Sequence, residues 1–174
     1  MRITQLQRQD IDACRRLYNY YVENTCISLE EQPLTPAQYE ARAEAIVQNY
    51  PFLVARDAQD AVVGFAYLSE FNARSAYRCS ADLSIYVEHA YRRAHVGTAL
   101  LHALEDAAAA QGIRNLVSII TSDNDASRRF HEENGFVKEG ELHDIAVKFG
   151  KMCSVCFYRK ALRKESLRRS IGRF

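Results

Sequence analysis

No run of apolar residues in this chain approaches about 18, the length a membrane-crossing helix needs. The first 25 residues also lack the charged, then apolar, then small-residue order of a secretion signal. A soluble, unprocessed, cytoplasmic protein is therefore expected, with no membrane partner. The five cysteines, Cys14, Cys26, Cys79, Cys153 and Cys156, are odd in number and scattered. They do not read as a disulfide framework, and a chain of 174 residues, 48% of them hydrophobic, is large enough to need none. Metal-ligand spacing is missing too: His89, His95, His102 and His143 have no acids at suitable intervals. Cys153-Ser154-Val155-Cys156 is a lone pair at the start of an expected strand, where positions i and i+3 point to opposite faces. No metal is expected. Internal repeats and low-complexity linkers are absent, which leaves one domain. The net charge is only +1, but residues 159–174 carry seven Lys or Arg against Glu165 alone. Aromatic residues accompany those charges only at Tyr158 and Phe174, too few to stack bases, so nucleic acid is not an expected partner. Residues 163–174 are read as a basic, solvated extension of a domain spanning 1–162.

What is present reads as alternating helices and strands. A short apolar-alternating segment opens at Ile3. Asp10 can cap a helix whose face is Ile11, Cys14, Leu17, Tyr18, Tyr21 and Val22. Thr35-Pro36-Ala37-Gln38 is a capping box with proline at the first helical position, and Tyr50-Pro51 ends that helix. Phe52–Arg56 and Ala61–Ser69 flank Asp57-Ala58-Gln59-Asp60 as a hairpin. A strand is expected over Arg78–Glu88, a helix over Thr98–Gln111 stopped by Gly112, and a buried strand over Leu116–Thr121. A short helix over Ala126–Asn134 ends at Gly135, and a last strand covers Val155–Leu162. These elements pack most economically as a mixed sheet with helices on both faces.

The chemistry concentrates where the strand ending at Val87 gives way to a helix. The intervening segment, Arg92, Arg93, Ala94, His95, Val96, Gly97 and Thr98, brings together positive charge, a glycine and a helix N-terminus. That combination suits a diphosphate, though an ordinary strand-to-helix turn with surface arginines has the same outline. If Ile85-Tyr86-Val87 lies where the sheet splays, its unpaired amides can bind a pantetheine arm as an added strand; otherwise it is a core strand. Asp82, three residues earlier, could take a proton from an ammonium substrate directly or through water. His131, on the helix after Asn124, could give a proton to a leaving thiolate, or could be a buried histidine satisfied by backbone.

The residues that settle the resemblance are spread over the chain. They include Tyr50-Pro51 before Leu53-Val54-Ala55, Val63-Gly64-Phe65-Ala66-Tyr67, Ala73-Arg74-Ser75-Ala76-Tyr77, and Asp82 with Ile85-Tyr86-Val87. Asn124 and Ser127, His131-Glu132 with Gly135-Phe136, and Lys148-Phe149-Gly150 follow in order. From about Ile3 to Leu162 the chain resembles the GNAT family of N-acetyltransferases, and within it the phosphinothricin and methionine sulfoximine acetyltransferase group. The resemblance implies an α/β GNAT fold: a mixed, mostly antiparallel twisted sheet with a central splay and helices on both faces. It implies that acetyl-CoA lies along Ile85, Tyr86 and Val87, with its diphosphate on the Arg93–Thr98 loop and Asn124 near the pantetheine. It implies that Arg74 and Tyr77, with Phe71 beside them, hold the amino-acid end of the substrate. Asp82 stands where the family usually has a glutamate as general base, and His131 where many relatives carry a proton-donating tyrosine. A homodimer is the family tendency.

Two departures stand out. Arg93 and His95 replace two of the three glycines of the family's phosphate loop, at a cost of about 1–2 kcal/mol wherever a positive φ is required. Met152-Cys153-Ser154 replaces the usual Trp-x-Asp, so the far side of the substrate pocket differs. The expected activity is transfer of acetyl from acetyl-CoA to the amine of a small amino acid or analogue, by direct attack in a ternary complex. Acetylation of a peptide or protein amino terminus, and a non-catalytic acyl-CoA-binding module with a basic tail, are the alternatives.

Overall fold

Strand parity divides the apolar residues of this chain between two helical layers. The computed structural model describes residues 1–92 and 94–162, so the expectations for Arg93 and the basic tail fall outside the described residues. The elements are β1 (Arg2–Gln5), α1 (Ile11–Asn24), α2 (Pro36–Val47), β2 (Phe52–Arg56), β3 (Val62–Glu70) and β4 (Ser80–Val87). They continue as α3 (Val96–Ala110), β5 (Asn115–Thr121), α4 (Asp125–Glu133), β6 (Val137–Lys148) and β7 (Lys151–Ala161). One seven-stranded sheet runs in the order β1-β2-β3-β4-β5-β7-β6. Every neighbouring pair is antiparallel except β4 with β5.

On one face, Cys14, Tyr18 and Val22 of α1 and Tyr39, Ala43 and Ile46 of α2 bury Phe52, Val54 and Phe65. On the other, Leu100, Leu101, Leu104 and Ala108 of α3 cover Leu53, Ala55, Ala66, Leu68, Leu83 and Leu116. Successive strand residues alternate between these two cores, as a period of two requires. The expected capping box forms: Gln38 N donates to Thr35 Oγ1 at 3.3 Å, and Thr35 N donates to Gln38 Oε1 at 2.9 Å. Asp10 precedes α1, but its side chain caps the preceding 3-10 turn rather than that helix. Its carboxylate accepts from Gln7 N at 3.0 Å and pairs with Arg56, and both Asp10 and Arg56 are buried.

The structure moves several expected boundaries. Helix α3 begins at Val96, so Val96, Gly97 and Thr98 belong to its first turn rather than to a loop. Residues Ser75–Cys79 form a 3-10 turn, and β4 starts only at Ser80. The last strand begins at Lys151 instead of Val155 and therefore contains both Cys153 and Cys156. Strand β6 was not expected. It is the sheet edge, exposed along most of its length, and its register slips at Lys138/Gly140 and Leu142/Ala146. Those irregularities break the apolar alternation that would have marked it.

Candidate active site

The β4–β5 ladder consists of Ser80 with Asn115, Ala81 with Leu116 and Asp82 with Val117, and goes no further. Beyond it, β4 stays with β3 as far as Val87, and β5 stays with β7 as far as Thr121. The two halves of the sheet therefore part immediately after Asp82. Ser118 Oγ, donating to the Leu83 carbonyl at 3.5 Å, is the last link across.

Backbone parity shows what the gap offers. Glu88 N donates to Val63 O at 2.9 Å, which turns the even-numbered amides of β4 toward β3. Arg114 N donates to Cys79 O at 2.8 Å, which turns the odd-numbered ones toward β5. Leu83, Ile85 and Val87 thus direct their N–H and C=O groups into the gap. The Leu83 N–H is engaged by Asp82 Oδ1 at 3.1 Å, and the Val87 carbonyl accepts from the Tyr21 hydroxyl at 2.5 Å. Among the described residues Ile85 keeps both groups available, and Val87 keeps its N–H. An extended ligand with alternating amides fits such an edge. The Tyr86 amide faces β3, and its ring packs with Tyr18, Tyr21 and Phe65 at centroid distances of 5.2, 5.4 and 5.2 Å.

At the open end of the gap the chain passes through Arg92 into α3. His95 sits at φ 56°, ψ 15°, the left-handed region, so one of the two lost glycines falls where a glycine would be unstrained. The N–H groups of Val96, Gly97 and Thr98 have no intrahelical acceptors, and they point out of the positive end of a 15-residue helix. Val96 contributes only this backbone group, since its side chain is buried. The missing Cβ of Gly97 makes room for the Phe130 ring, 3.3 Å from where that atom would be. Arg92 is exposed; it donates to the Tyr21 hydroxyl at 3.4 Å and lies 5.9 Å from the centre of that ring. Ala94 and His95 are exposed beside it.

Asp82 stands at the apex of the gap, with its side chain on the face of Ser69 and Tyr67 across β3. Burial pushes its carboxyl up to about 6, and the Leu83 N–H bond only partly opposes that. A carboxylate tuned this way is a competent proton acceptor near neutral pH. The same face opens into a groove of about 1100 Å³ whose walls include Glu30, Arg42, Tyr67, Ser69, Glu70 and Arg78. Sequence reasoning singled out none of these six as functional. Glu30 and Arg42 form an ion pair, and Arg42 Nη1 also donates to the Tyr18 hydroxyl at 3.2 Å.

The remaining expected site residues have settled environments. Asn124 caps α4, accepting from Ser127 N at 3.2 Å. His131 is buried; its Nδ1 lies 2.8 Å from the Ser127 carbonyl, and its ring centroid is 4.9 Å from that of Phe136. Nδ1 therefore carries the proton, which leaves Nε2 an acceptor in the neutral ring. Burial lowers the imidazole pKa, so the imidazolium that could donate from Nε2 is disfavoured. Phe71 and Tyr77 lie 5.7 Å apart, centroid to centroid, on the β3–β4 connection. Arg74 is exposed there, and its guanidinium has no partner among the described residues. These three do not line the groove. Cys153 and Cys156 are free thiols.

The family profile of the acetyltransferase (GNAT) domain matches residues 3–154. An L-methionine sulfoximine/L-methionine sulfone acetyltransferase of Pseudomonas paraeruginosa is 34% identical over 149 residues, 85% of this chain and 87% of that protein. A GNAT superfamily phosphinothricin acetyltransferase from Sinorhizobium meliloti, solved in complex with AcCoA, superposes with a TM-score of 0.90 at 30% identity. That match covers 94% of this chain and 89% of the other. A ribosomal-protein-alanine N-acetyltransferase from Brucella melitensis superposes equally well, TM-score 0.90 at 29% identity, over 93% of this chain and all of that one. A sheet that opens beside a helix N-terminus, with an aspartate where it parts, is thus found in a chain that belongs to the GNAT family of acetyltransferases.

Proposed function

We propose that this protein transfers the acetyl group of acetyl-CoA to the α-amine of a small amino acid or analogue of the phosphinothricin and methionine sulfoximine type. The observation that carries the reading is the termination of the β4–β5 ladder at Asp82, which leaves the Ile85 amide unpaired beside a carboxyl raised to about 6. The residues present fit the coenzyme. Ile85 N–H and C=O and Val87 N–H would hold the pantetheine amides. The first turn of α3, with Arg92 and Arg93, would hold the diphosphate, and Asn124 keeps α4 capped alongside.

Acetyl-CoA supplies an activated thioester. Asp82, directly or through one water, accepts the proton of the incoming ammonium, so the neutral amine is formed at the point of attack. Backbone N–H groups facing the gap stabilise negative charge developing on the carbonyl oxygen, and they need no reorganisation because β3 holds β4 rigid. No side-chain nucleophile is required. His131 is the candidate donor to the departing thiolate, through the minor imidazolium form that burial disfavours.

The acceptor approaches Asp82 from the α1/α2 face, where the groove opens. The unpartnered Arg74 guanidinium, with Tyr77 and Phe71, is suited to a carboxylate or phosphinate outside it. A second reading, acetylation of a peptide amino terminus, is favoured by one feature: the groove, about 1100 Å³, exceeds the needs of a free amino acid. Release of free thiol from acetyl-CoA, followed over a panel of amino acids, sulfoximines and dipeptides, decides between them. Turnover with free amino acids supports the first reading, turnover restricted to peptides supports the second, and binding of acetyl-CoA without turnover removes both.

A homodimer belongs to the same proposal. Ile119, Val137 and Leu142 lie exposed on the sheet half that no described helix covers on the α1/α2 side. An apolar face of this kind is suited to a second copy. Light scattering reads the outcome: Leu142→Lys should convert a dimer to a monomer, and a wild-type monomer would exclude the pairing. A cytoplasmic location agrees with five free cysteines, and no described helix is long and apolar enough to cross a membrane.

A further inference from the structure

Lys148 is a buried cation with no carboxylate in ion-pair contact; Glu30 and Glu31 act on it only at longer range. Its side chain is 1% exposed, its Nζ donates to the Ser28 carbonyl at 2.5 Å, and the Phe149 ring lies 5.0 Å away. It ends β6, opposite Lys151, at a two-residue turn in which Phe149 and Gly150 have φ of 51° and 71°. Burying an ammonium costs free energy unless it is well partnered, so packing alone does not account for this placement.

The far end of the contact is a hub. Ser28 Oγ lies 3.2 Å from the Tyr18 hydroxyl and accepts from Glu30 N at 3.3 Å. The same tyrosine hydroxyl accepts from Arg42, which pairs with Glu30. Glu30 and Arg42 are walls of the acceptor groove. Lys148 therefore reaches, through one carbonyl, the segment between α1 and α2 that carries part of that groove.

Its position in the sheet gives the contact its meaning. The hairpin tip lies beyond the Thr121 end of β5, and Tyr18 packs on Tyr86 near the far end of β4. Both places are at the open end of the gap, away from the three-pair ladder. Among the described residues, the one other polar link between the β6–β7 hairpin and residues 1–92 is the weaker thiol contact of Cys153 with Cys26.

We infer that Lys148 is a positioning residue: its bond to Ser28 braces the open end of the splayed sheet and fixes the acceptor groove, whose wall residue Ser69 is paired with Asp82. This rests on the proposed acetyl transfer. The groups assigned to the coenzyme, on β4, in the segment 92–98 and at Asn124, make no hydrogen bond to Lys148 or Ser28, so the effect falls first on the amine.

The test uses the full chain with Lys148→Met, which keeps length and apolar bulk but removes the donor. For the best amine of the thiol-release panel, KM should rise at least tenfold. The kcat should stay within threefold, and the acetyl-CoA Kd from calorimetry within twofold. Ser28→Ala, which cuts the hub from Tyr18 and Glu30, should raise the same KM three- to tenfold, and the double variant should add little to the larger single effect. An unchanged amine KM, or an acetyl-CoA Kd that weakens in parallel, overturns the inference. If Lys148→Met does not fold, Lys148→Gln, one bond shorter and uncharged, decides by the same criteria, because Ser28→Ala keeps the carbonyl that Lys148 bonds. If the wild type acetylates no amine, the proposed function fails, but the brace is still read by amide hydrogen exchange. Glu30 should then exchange at least tenfold faster in Lys148→Met, with residues 115–121 unchanged, and equal rates at Glu30 would sink it.

Discussion

The Tyr21 hydroxyl donates to the Val87 carbonyl at 2.5 Å, joining the last turn of α1 to the last residue of β4. That carbonyl faces the gap, so α1 both closes one acceptor at its mouth and, through the Tyr21 ring, supports Arg92. Tyr21→Phe removes the donor and keeps the ring. It should cost about 1 kcal/mol of stability and leave acetyl-CoA affinity within threefold. Tyr21→Leu also removes the platform under Arg92, and a cation–ring contact at an exposed site contributes about 0.5–1 kcal/mol. It should weaken acetyl-CoA binding three- to tenfold, read by calorimetry. Equal affinities for the two variants would remove Arg92 from the phosphate site.

Asp82 connects catalysis with stability in opposite senses. Its carboxyl is raised from 3.8 to about 6 by burial, so the fold favours the protonated form. The stability this confers is complete below about pH 4 and is lost as pH rises through 6. Asp82→Asn should therefore leave the unfolding free energy unchanged at pH 4 and raise it by about 2–3 kcal/mol at pH 8. Turnover moves the other way. The acidic limb of the wild-type rate should show a pKa near 6, and the asparagine variant should lose that limb together with a factor of about 10²–10⁴ in kcat. Denaturant melts at the two pH values, alongside thiol release, check both halves. Unaltered turnover would take Asp82 out of the reaction.

His95 holds a left-handed backbone that a glycine would adopt without strain. His95→Gly should stabilise the protein by about 1 kcal/mol. Because the N–H groups of the α3 first turn are unaffected, acetyl-CoA should bind as tightly as before or more tightly. A tenfold loss of affinity would show instead that the imidazole is itself a ligand.

The elements whose side chains face one way along their whole length were legible in the sequence. The Ile11–Val22 stripe, the Thr35–Gln38 capping box and the Leu100–Ala108 face each name their own helix, and all three form. Strand β6 was not legible, because its two register slips scramble the alternation and its exposure removes the apolar signal. Within the site, Asp82 and Ile85 could be picked out because they share one short strand. The splay itself is a relation between β4 and β5, which begin 35 residues apart, and no local pattern encodes where a ladder stops. Tyr21, Glu30, Arg42 and Lys148 were hidden for a related reason. Each reads locally as helix face, solvated charge or hairpin tip, and acquires its role only from a partner distant in sequence. His131 shows the converse: spacing placed it on the right helix, but only the Ser127 carbonyl reveals which nitrogen bears the proton.

The pairing of Asp10 with Arg56 is the deepest ionic contact described, with side chains 2% and 6% exposed. It ties the start of α1 to the end of β2, and Arg56 Nη1 also donates to the Asp60 carbonyl at 3.1 Å in the hairpin turn. Removing one partner leaves the other charge in a medium that solvates it poorly, so Asp10→Asn should cost about 3–5 kcal/mol. For a domain of this size that corresponds to a fall in Tm of roughly 10 °C. The site lies elsewhere, so kcat at temperatures well below the transition should be retained. Replacing both partners, Asp10→Leu with Arg56→Met, removes the uncompensated charge as well as the attraction. Most of the lost stability should return. A double variant as unstable as Asp10→Asn would mean that the contact is held by geometry only an ion pair supplies, and that α1, with Tyr21 upon it, depends on that geometry for its place over the gap.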